Sequence, residues 1–268
     1  MYYNKFLSFF SSKNISIPKK VLRNVSKNKV NLINTHTNDV QVIHFKNDNF
    51  YTKFSKNKKA NKKIYSELAG LSWYCKRRKL DPKNIIKNYY VDKNVSYIDI
   101  QNLRGKKIKS WKSLSENHNY LKKFLKHYLK YFPKKKLVNI HGDLTLDNIL
   151  FQKKGPFIID WEFFKAKKSY YGYDIVYLFL SAACLPYLSY KRFSHEDEYH
   201  FRNLWKLLIK SKISNKLIHN PFNFFSNKIK NDHILKKSYK ISKAKFFPFI
   251  TPSSHKKKNN ENYRIYLK

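Results

Sequence analysis

Residues 138–162 read VNIHGDLTLDNILFQKKGPFIIDWE, and their spacing could do chemistry. His141, Gly142 and Asp143 follow an apolar lead-in, Asn148 stands five positions past Asp143, and Asp160 closes a second apolar run. Transfer of a phosphoryl group asks for little covalent work from a protein; it asks for positioning and for charge stabilisation. One carboxylate must accept a hydrogen bond from the attacking hydroxyl, and Asp143 is the candidate. Hard oxygens must hold Mg²⁺ against the phosphates, because this ion prefers few protein oxygens together with phosphate and water. Asn148 and Asp160 are the candidates. Ile149-Leu150-Phe151 and Phe157-Ile158-Ile159 flank Gly155-Pro156, which predicts two short strands joined by a turn. Such a hairpin brings Asn148 and Asp160, twelve residues apart in sequence, to one edge.

The order His141, Asp143, Leu144, Asn148 and Asp160 resembles the protein-kinase catalytic signature, His-x-Asp-Leu-x-x-x-Asn followed by an aspartate. More closely, the chain resembles the aminoglycoside phosphotransferase and choline kinase superfamily of small-molecule kinases. Those enzymes carry His-Gly-Asp or His-Asn-Asp, then Asn-Ile-Leu, then Ile-Asp-Trp/Phe-Glu, and the match is close at 141–150 and 159–162. The resemblance implies an α+β, two-lobed, protein-kinase-like fold with a small antiparallel-sheet N-lobe and a mainly helical C-lobe. It also implies ATP and Mg²⁺ as cofactors. The expected division is a leader over 1–28, a nucleotide-binding N-lobe of sheet and helix over 29–103, and a C-lobe over 104–268. The C-lobe would hold the catalytic loop and end in a basic tail from about 251.

Length and composition set the frame. A chain of 268 residues, 42% hydrophobic, can bury a real core. Its formal charge of +40 points by itself to nucleic acid or an anionic membrane surface. Yet seven of the 57 basic residues are Arg and the other 50 Lys, with Gly scarce at five, which is what an A/T-rich coding sequence would produce. The acids are fewer and more placed: of 17, five are Asp143, Asp147, Asp160, Glu162 and Asp174, and three more are Glu196, Asp197 and Glu198. Cys75 and Cys184 lack metal or redox spacing, so a reducing cytosol is the default. The first residues make a poor signal peptide, and the apolar run 175–188 is too short to span a bilayer. A cytoplasmic protein, at most peripheral to a membrane, is expected.

The elements that must position these residues can be read in order. Residues 40–45 and 50–54 predict a hairpin. The polar stretch 34–39 before it would cover the nucleotide phosphates in the kinase reading, or be an ordinary turn. Lys53, inside the second strand, is then the lysine for the α- and β-phosphates. Glu67 is the only acid between Asp48 and Asp81, and Ile64, Leu68, Leu71, Tyr74 and Cys75 recur around it at helical spacing. A helix bringing Glu67 to Lys53 would hold that lysine in place. Asp81-Pro82 should end the helix, and 84–91 and 95–101 predict two further strands. The resemblance puts adenine against the main chain of Ile100, Gln101, Asn102 and Leu103, before a crossover at Arg104-Gly105.

Residues 115–132 predict a helix leading into the catalytic loop, and 171–186 an apolar helix. Asp174 either caps that helix or, as the resemblance implies, hydrogen-bonds the backbone of the catalytic loop, with His141 as a second support. Ser194 with Glu196, Asp197 and Glu198 has the form of a helix start. The resemblance offers these acids an alternative role, binding a cationic substrate beside Glu162, with Trp161 and Trp205 as aromatic faces for an amine. Both tryptophans read equally as core. His195 and His200 make an unconvincing metal pair.

The expected activity is transfer of the γ-phosphoryl of ATP to a hydroxyl of a small molecule or glycan. A sugar or surface-polysaccharide acceptor is favoured slightly over choline, ethanolamine or another amino alcohol. The rival from another class is a non-catalytic kinase-fold protein that binds nucleic acid or anionic membrane through its charge. The basic, aromatic C-terminal third could make such a peripheral contact, and no obligate protein partner is expected.

Overall fold

A computed structural model describes residues 30–33, 40–45, 49–55, 57–92, 96–110, 112–184, 194–219, 221–225, 250–252 and 263–265. The expectations for the leader 1–28, the loop 34–39 and most of the basic tail lie outside these residues. The chain divides into two compact units, one formed by Met1–Arg104 with Asp160–Lys165, the other by Gly105–Ile159 with Ala166–Lys268.

The first unit is built on a five-stranded antiparallel sheet in the order β1-β2-β3-β5-β4. Its strands are β1 (Val30–Ile33), β2 (Val40–Phe45), β3 (Phe50–Ser55), β4 (Ile86–Tyr90) and β5 (Tyr97–Gln101). The central position of β3 and β5 explains why their middles are covered on both faces: Thr52, Lys53, Phe54, Tyr97, Ile98, Asp99 and Ile100 are all buried. Buried polar groups there are paired across the strands, as where Thr52 Oγ1 donates to Asp99 Oδ1 at 2.6 Å. Helix α1 (Lys58–Arg77) starts at Asn57, whose side chain accepts from the Ala60 N–H. It buries one stripe, Ala60, Ile64, Glu67, Gly70, Leu71, Tyr74 and Cys75, the spacing of a helix with a single core face. The helix ends at Arg77, before Asp81-Pro82. The strand expected from 84 begins two residues later because Pro82–Asn84 form a 3-10 turn, with Asp81 accepting from the Lys83 N–H and Pro82 at its start.

The second unit is mainly helical. Its principal helices are α2 (Leu114–Tyr131), α3 (Tyr173–Cys184) and α4 (His195–Lys210). Small β elements support them: β6 (Lys106–Lys107), β8 (Ile149–Gln152) and β9 (Gly155–Ile158) form one sheet, while β7 (Val138–Ile140) pairs with β10 (Lys165–Ser169). Short α5 (Asn215–Ile218) and α6 (Pro221–Phe224) follow, and β11 (Ile250–Pro252) pairs with β12 (Tyr263–Ile265). Helix α2 opens with a capping box in which Ser113 and Glu116 satisfy each other's backbone N–H groups. Helix α3 buries Ile175, Val176, Leu178, Phe179, Leu180, Ala182 and Ala183 with no polar stripe among them, as a helix inside a core must. Among the described residues no helix is long and apolar enough to cross a membrane. Each unit has the make-up expected of its lobe in an α+β, protein-kinase-like fold.

Where α2 packs on α4, the rings of His118 and His200 lie 4.1 Å apart with a 32° tilt. Around them stand Asn119 and Lys122 on α2, and Glu196 on α4, whose Oε1 is 3.6 Å from His200 Nε2. Burial, then the charges of His200 and Lys122, hold the His118 pKa below its ordinary 6.5. The fold therefore favours the neutral ring. That stabilisation is present above the unfolded pKa and is lost as pH falls through it. The melting temperature should drop between about pH 7 and about pH 5, and His118→Phe should flatten the drop. Identical pH profiles for the two proteins would show that the pair does not set it.

Candidate active site

In the first unit the site is organised around Lys53. The side chain points inward from β3 at a position paired with Ile98 of β5. Its Nζ lies 2.6 Å from Asp160 Oδ1, 3.2 Å from Glu67 Oε2 and 3.2 Å from Glu162 Oε1. The expected ion pair with Glu67 is present, since α1 turns its buried stripe, Glu67 included, toward the sheet. Burial works against the Lys53 ammonium, but the charges of Glu67, Asp160, Tyr51 and Glu162 outweigh it, leaving the pKa well above its ordinary value. Burial pushes the Glu67 carboxyl the other way, up to about 8, with Lys53 opposing and the two neighbouring acids adding to the rise. Burial is the main cause of the Glu67 rise, whereas the surrounding acids are what raise Lys53. Among the described residues Glu67 Oε1 has no hydrogen-bond partner. Oxygens of Glu67, Asp160 and Glu162 all lie within 4.8 Å of one another, so a small cation also fits this donor set.

Asp160 has a backbone φ of +65°, a left-handed conformation that non-glycine residues seldom adopt. Such strain persists where surrounding structure over-determines it, commonly at functional sites. The next residue shows how it is held. Trp161 is fully buried, 5.2 Å from the Tyr74 ring and edge-on to Trp73 at 5.9 Å. Gly70 lets it approach: a Cβ there would stand 2.7 Å from Trp161 Cβ and 3.0 Å from Phe164 Cβ.

In the second unit His141 ties the catalytic loop together. Its Nδ1 accepts from the Asp143 N–H at 3.3 Å, which leaves Nε2 protonated to donate to the Ile159 carbonyl at 2.9 Å. Asp174, fully buried, accepts from the N–H groups of His141 and Gly142 at 2.8 and 3.0 Å. Between a simple helix cap and support of the loop, the hydrogen bonds favour loop support. Asn148 donates through Nδ2 to the Asp143 carbonyl at 2.9 Å, while its own carbonyl accepts from the Ile159 N–H at 3.0 Å. The side-chain amide is thereby oriented with its nitrogen committed and its oxygen as the remaining ligand atom. Tyr177 reaches Asp143 Oδ1 with a long 3.4 Å contact.

Two participants escape a reading of the sequence. Tyr51 shares a face of β3 with Lys53, two positions on, and burial beside the carboxylates raises its hydroxyl pKa. Tyr177 stands one turn after Asp174 on α3, and the three-residue spacing was the available signal.

The substrate candidates fare differently. Trp161 and Trp205 are fully buried, Trp205 stacked on Phe201 at 5.2 Å, so neither presents a face to an amine. Glu162 turns to Lys53 and is a third carboxylate of that cluster. Asp197 is buried and caps α4: it accepts from the Ser194 N–H at 3.0 Å and also from the Ser115 N–H at 2.8 Å. Glu198 pairs with Arg202 at 2.7 Å and Glu196 with His200, both one turn along the helix. The helix-start reading of this acidic turn is the one realised. Of the residues expected at adenine, Ile100 is within β5, and the N–H groups of Gln101 and Asn102 donate to Ile85 and Asn49 carbonyls. Strand β5 ends at Gln101, and among the described residues the Leu103 main chain makes no hydrogen bond.

Residues 97–203, which span β5 to the first half of α4, match the model of the Phosphotransferase enzyme family, and so bear out the resemblance carried by His141, Asp143, Asn148 and Asp160. No curated protein matches the chain. Among solved structures it is similar to the Cydia pomonella Granulovirus kinase PK-1, at 14% identity and TM-score 0.38, covering 70% of this chain and 84% of that one. It is similar to APH(2")-IIia, solved as a GDP and kanamycin complex, at 14% identity and TM-score 0.40, covering 89% and 97%. The streptomycin-ATP-APH(2")-IIa ternary complex is similar at 10% identity and TM-score 0.36, covering 82% and 98%.

Substituting Gly70 tests how Asp160 is held. Alanine in a helix interior is normally better than glycine by about 1 kcal/mol. Here the new methyl meets a buried ring, and overpacking of this kind costs about 1–3 kcal/mol. Gly70→Ala should therefore lower the melting temperature, read by circular dichroism. A rise would mean that Trp161 is not wedged against α1.

Proposed function

We propose that this protein is an ATP-dependent phosphotransferase that moves the γ-phosphoryl group to a hydroxyl of a small molecule or glycan. The observation that carries this reading is Lys53, a buried ammonium held by Glu67 and turned to Asp160, the aspartate that follows the hairpin. A lysine fixed in this way is placed to contact phosphates as a point charge.

Asp143 would accept the hydrogen bond of the acceptor hydroxyl and orient it for attack. His141 and Asp174 act on the backbone of the same loop, and so position that carboxylate rather than touch substrate. The main chain at Leu103 remains available for the base. Asn148 and Asp160 would each offer one hard oxygen to Mg²⁺, which when bound would neutralise charge on the phosphates. Each keeps an oxygen for a ligand: the Asn148 amide nitrogen is committed to Asp143, and the Asp160 side chain is 45% exposed.

The burial of Trp161 and Trp205 and the engagement of Asp197 and Glu198 within α4 weigh against a quaternary amine. A sugar or polysaccharide hydroxyl is the better acceptor, and the basic surface suits an anionic one.

The experiment is Mg²⁺-dependent ATP consumption by the purified chain against pooled sugars, polysaccharide fragments and amino alcohols. Turnover should appear in a sugar-containing pool. Asp143→Ala should reduce it by roughly 10³-fold while leaving Mg·ATP binding intact. Asp160→Ala should instead weaken Mg·ATP binding itself. Wild-type turnover in both variants would sink the assignment, and a chain that binds no nucleotide would be the non-catalytic binding protein.

A further inference from the structure

A cavity of about 440 Å³ lies in the second unit, lined by Lys134, Lys135, Lys136, Tyr170, Tyr171, Lys212, Ser214 and Lys216. Five of these eight are lysines and none is acidic. With 50 lysines in 268 residues, chance would supply one or two. Among the described residues none of the five forms a salt bridge. Like charges gathered in a concavity repel one another, and an anion seated there relieves the repulsion.

The walls are tied together by the fold. The Ser214 N–H donates to the Tyr171 carbonyl at 3.3 Å, and Gly172, at φ +100°, packs so tightly on Ile213 that a Cβ would stand 2.3 Å from its Cγ2. The Gly172 N–H in turn donates to the Tyr128 hydroxyl at 3.3 Å, and Tyr128 stacks at 4.2 Å on Phe132, which leads into the three consecutive lysines. Lysines from two distant segments are thus fixed around one hollow.

Three side chains show what the hollow suits. Lys216 lies over the Tyr170 ring, 5.1 Å from its centroid, and donates to its hydroxyl at 3.2 Å, so the ammonium is held in place. The Tyr171 hydroxyl is buried and has no hydrogen-bond partner among the described residues. Burial raises its pKa to about 12, so it remains a donor. Lys212 has a φ of +57° just past the end of α4, a position that favours glycine. Lys79 and Lys167, outside the pocket, share this left-handed backbone, so what sets Lys212 apart is its place on the wall.

We propose that this pocket binds a small polyanion carrying clustered phosphate groups. Lysines on both walls of a hollow suit a compact ligand, whereas a nucleic-acid strand is usually tracked by an extended basic groove. Two sources carry this chemistry, a free polyphosphorylated compound and the headgroup of a phosphorylated lipid; what the pocket recognises is the same.

The test is calorimetric titration of the full chain with inorganic tripolyphosphate, without Mg²⁺, at about 0.15 M salt to screen diffuse attraction. Binding should be one to one. Lys135→Ser with Lys212→Gly, the latter relaxing its backbone, should weaken it by roughly tenfold or more. Lys122→Ser with Lys126→Ser, an equal loss of charge on the exposed face of α2, should leave it unchanged. Lys53→Met should also leave it unchanged, because Lys53 belongs to the other unit. Equal weakening by both double variants would reduce the effect to bulk charge and overturn the proposal. So would loss of binding in Lys53→Met alone, or no binding at all. Vesicles of phosphatidylcholine with phosphatidylinositol bisphosphate identify the source: competition with tripolyphosphate supports a headgroup ligand, and its absence beside intact tripolyphosphate binding supports a free one.

Discussion

Lys53 carries its charge where almost no water reaches it, and the carboxylates of Glu67, Asp160 and Glu162 make that tolerable. An ammonium taken out of water costs several kcal/mol, returned only when partners are close and well directed. The first unit is arranged around this requirement. Strand β3 runs centrally, so the lysine is buried from both sides, and α1 carries an acid in the middle of its core stripe. Asp160–Lys165 joins this unit although the segments before and after belong to the other. The aspartate is the more demanding partner, because its left-handed backbone must be maintained by the packing of Trp161 against α1.

A different physical device organises the second unit. The stretch His141–Thr145 of the catalytic loop lies before the 3-10 turn Leu146–Asn148 and outside any helix or strand, and buried backbone groups must be paired. Asp174 takes two of its N–H groups, His141 takes a third and uses its other nitrogen on Ile159, and Asn148 takes a carbonyl. Each of these side chains serves backbone before it serves chemistry. Substituting any of them should therefore disturb the geometry of Asp143, even where the residue never touches a substrate.

The difference between the two devices explains what the sequence revealed. The catalytic loop was legible because its chemistry demands fixed residue types at short spacing, so His141, Asp143, Asn148 and Asp160 could be picked out together. The Lys53–Glu67 pair was legible because acids are rare in this chain and only one stood on the right helix. Strands β2 to β5, the hairpin β8–β9 and the longer helices followed from apolar and turn patterns, with errors of one or two residues where capping intervened, as at Pro82, whereas short elements such as β6 and β10 gave no such pattern. The tryptophans were ambiguous, since an aromatic ring serves a core and a binding face equally well. Only burial separates the two, and it is a property of packing. Glu162 was misplaced for a related reason: the spacing of Ile-Asp-Trp-Glu does not show that Trp161 turns inward while the acids on either side of it both reach one lysine.

Charge was the least informative property as a total and becomes informative only as a distribution. Fifty lysines spread evenly would act as a solvated coat, sensitive to salt and indifferent to ligand shape. Two arrangements depart from that. Lys53 is surrounded by acids and withdrawn from solvent. Lys134, Lys135, Lys136, Lys212 and Lys216 line one hollow with no acid among its walls. The first compensates its charge within the protein; the second leaves it uncompensated around a hollow. An A/T-rich coding sequence accounts for abundant lysine, and for lysines at left-handed positions such as Lys79, Lys167 and Lys212, but it gives no reason for five lysines to surround one hollow.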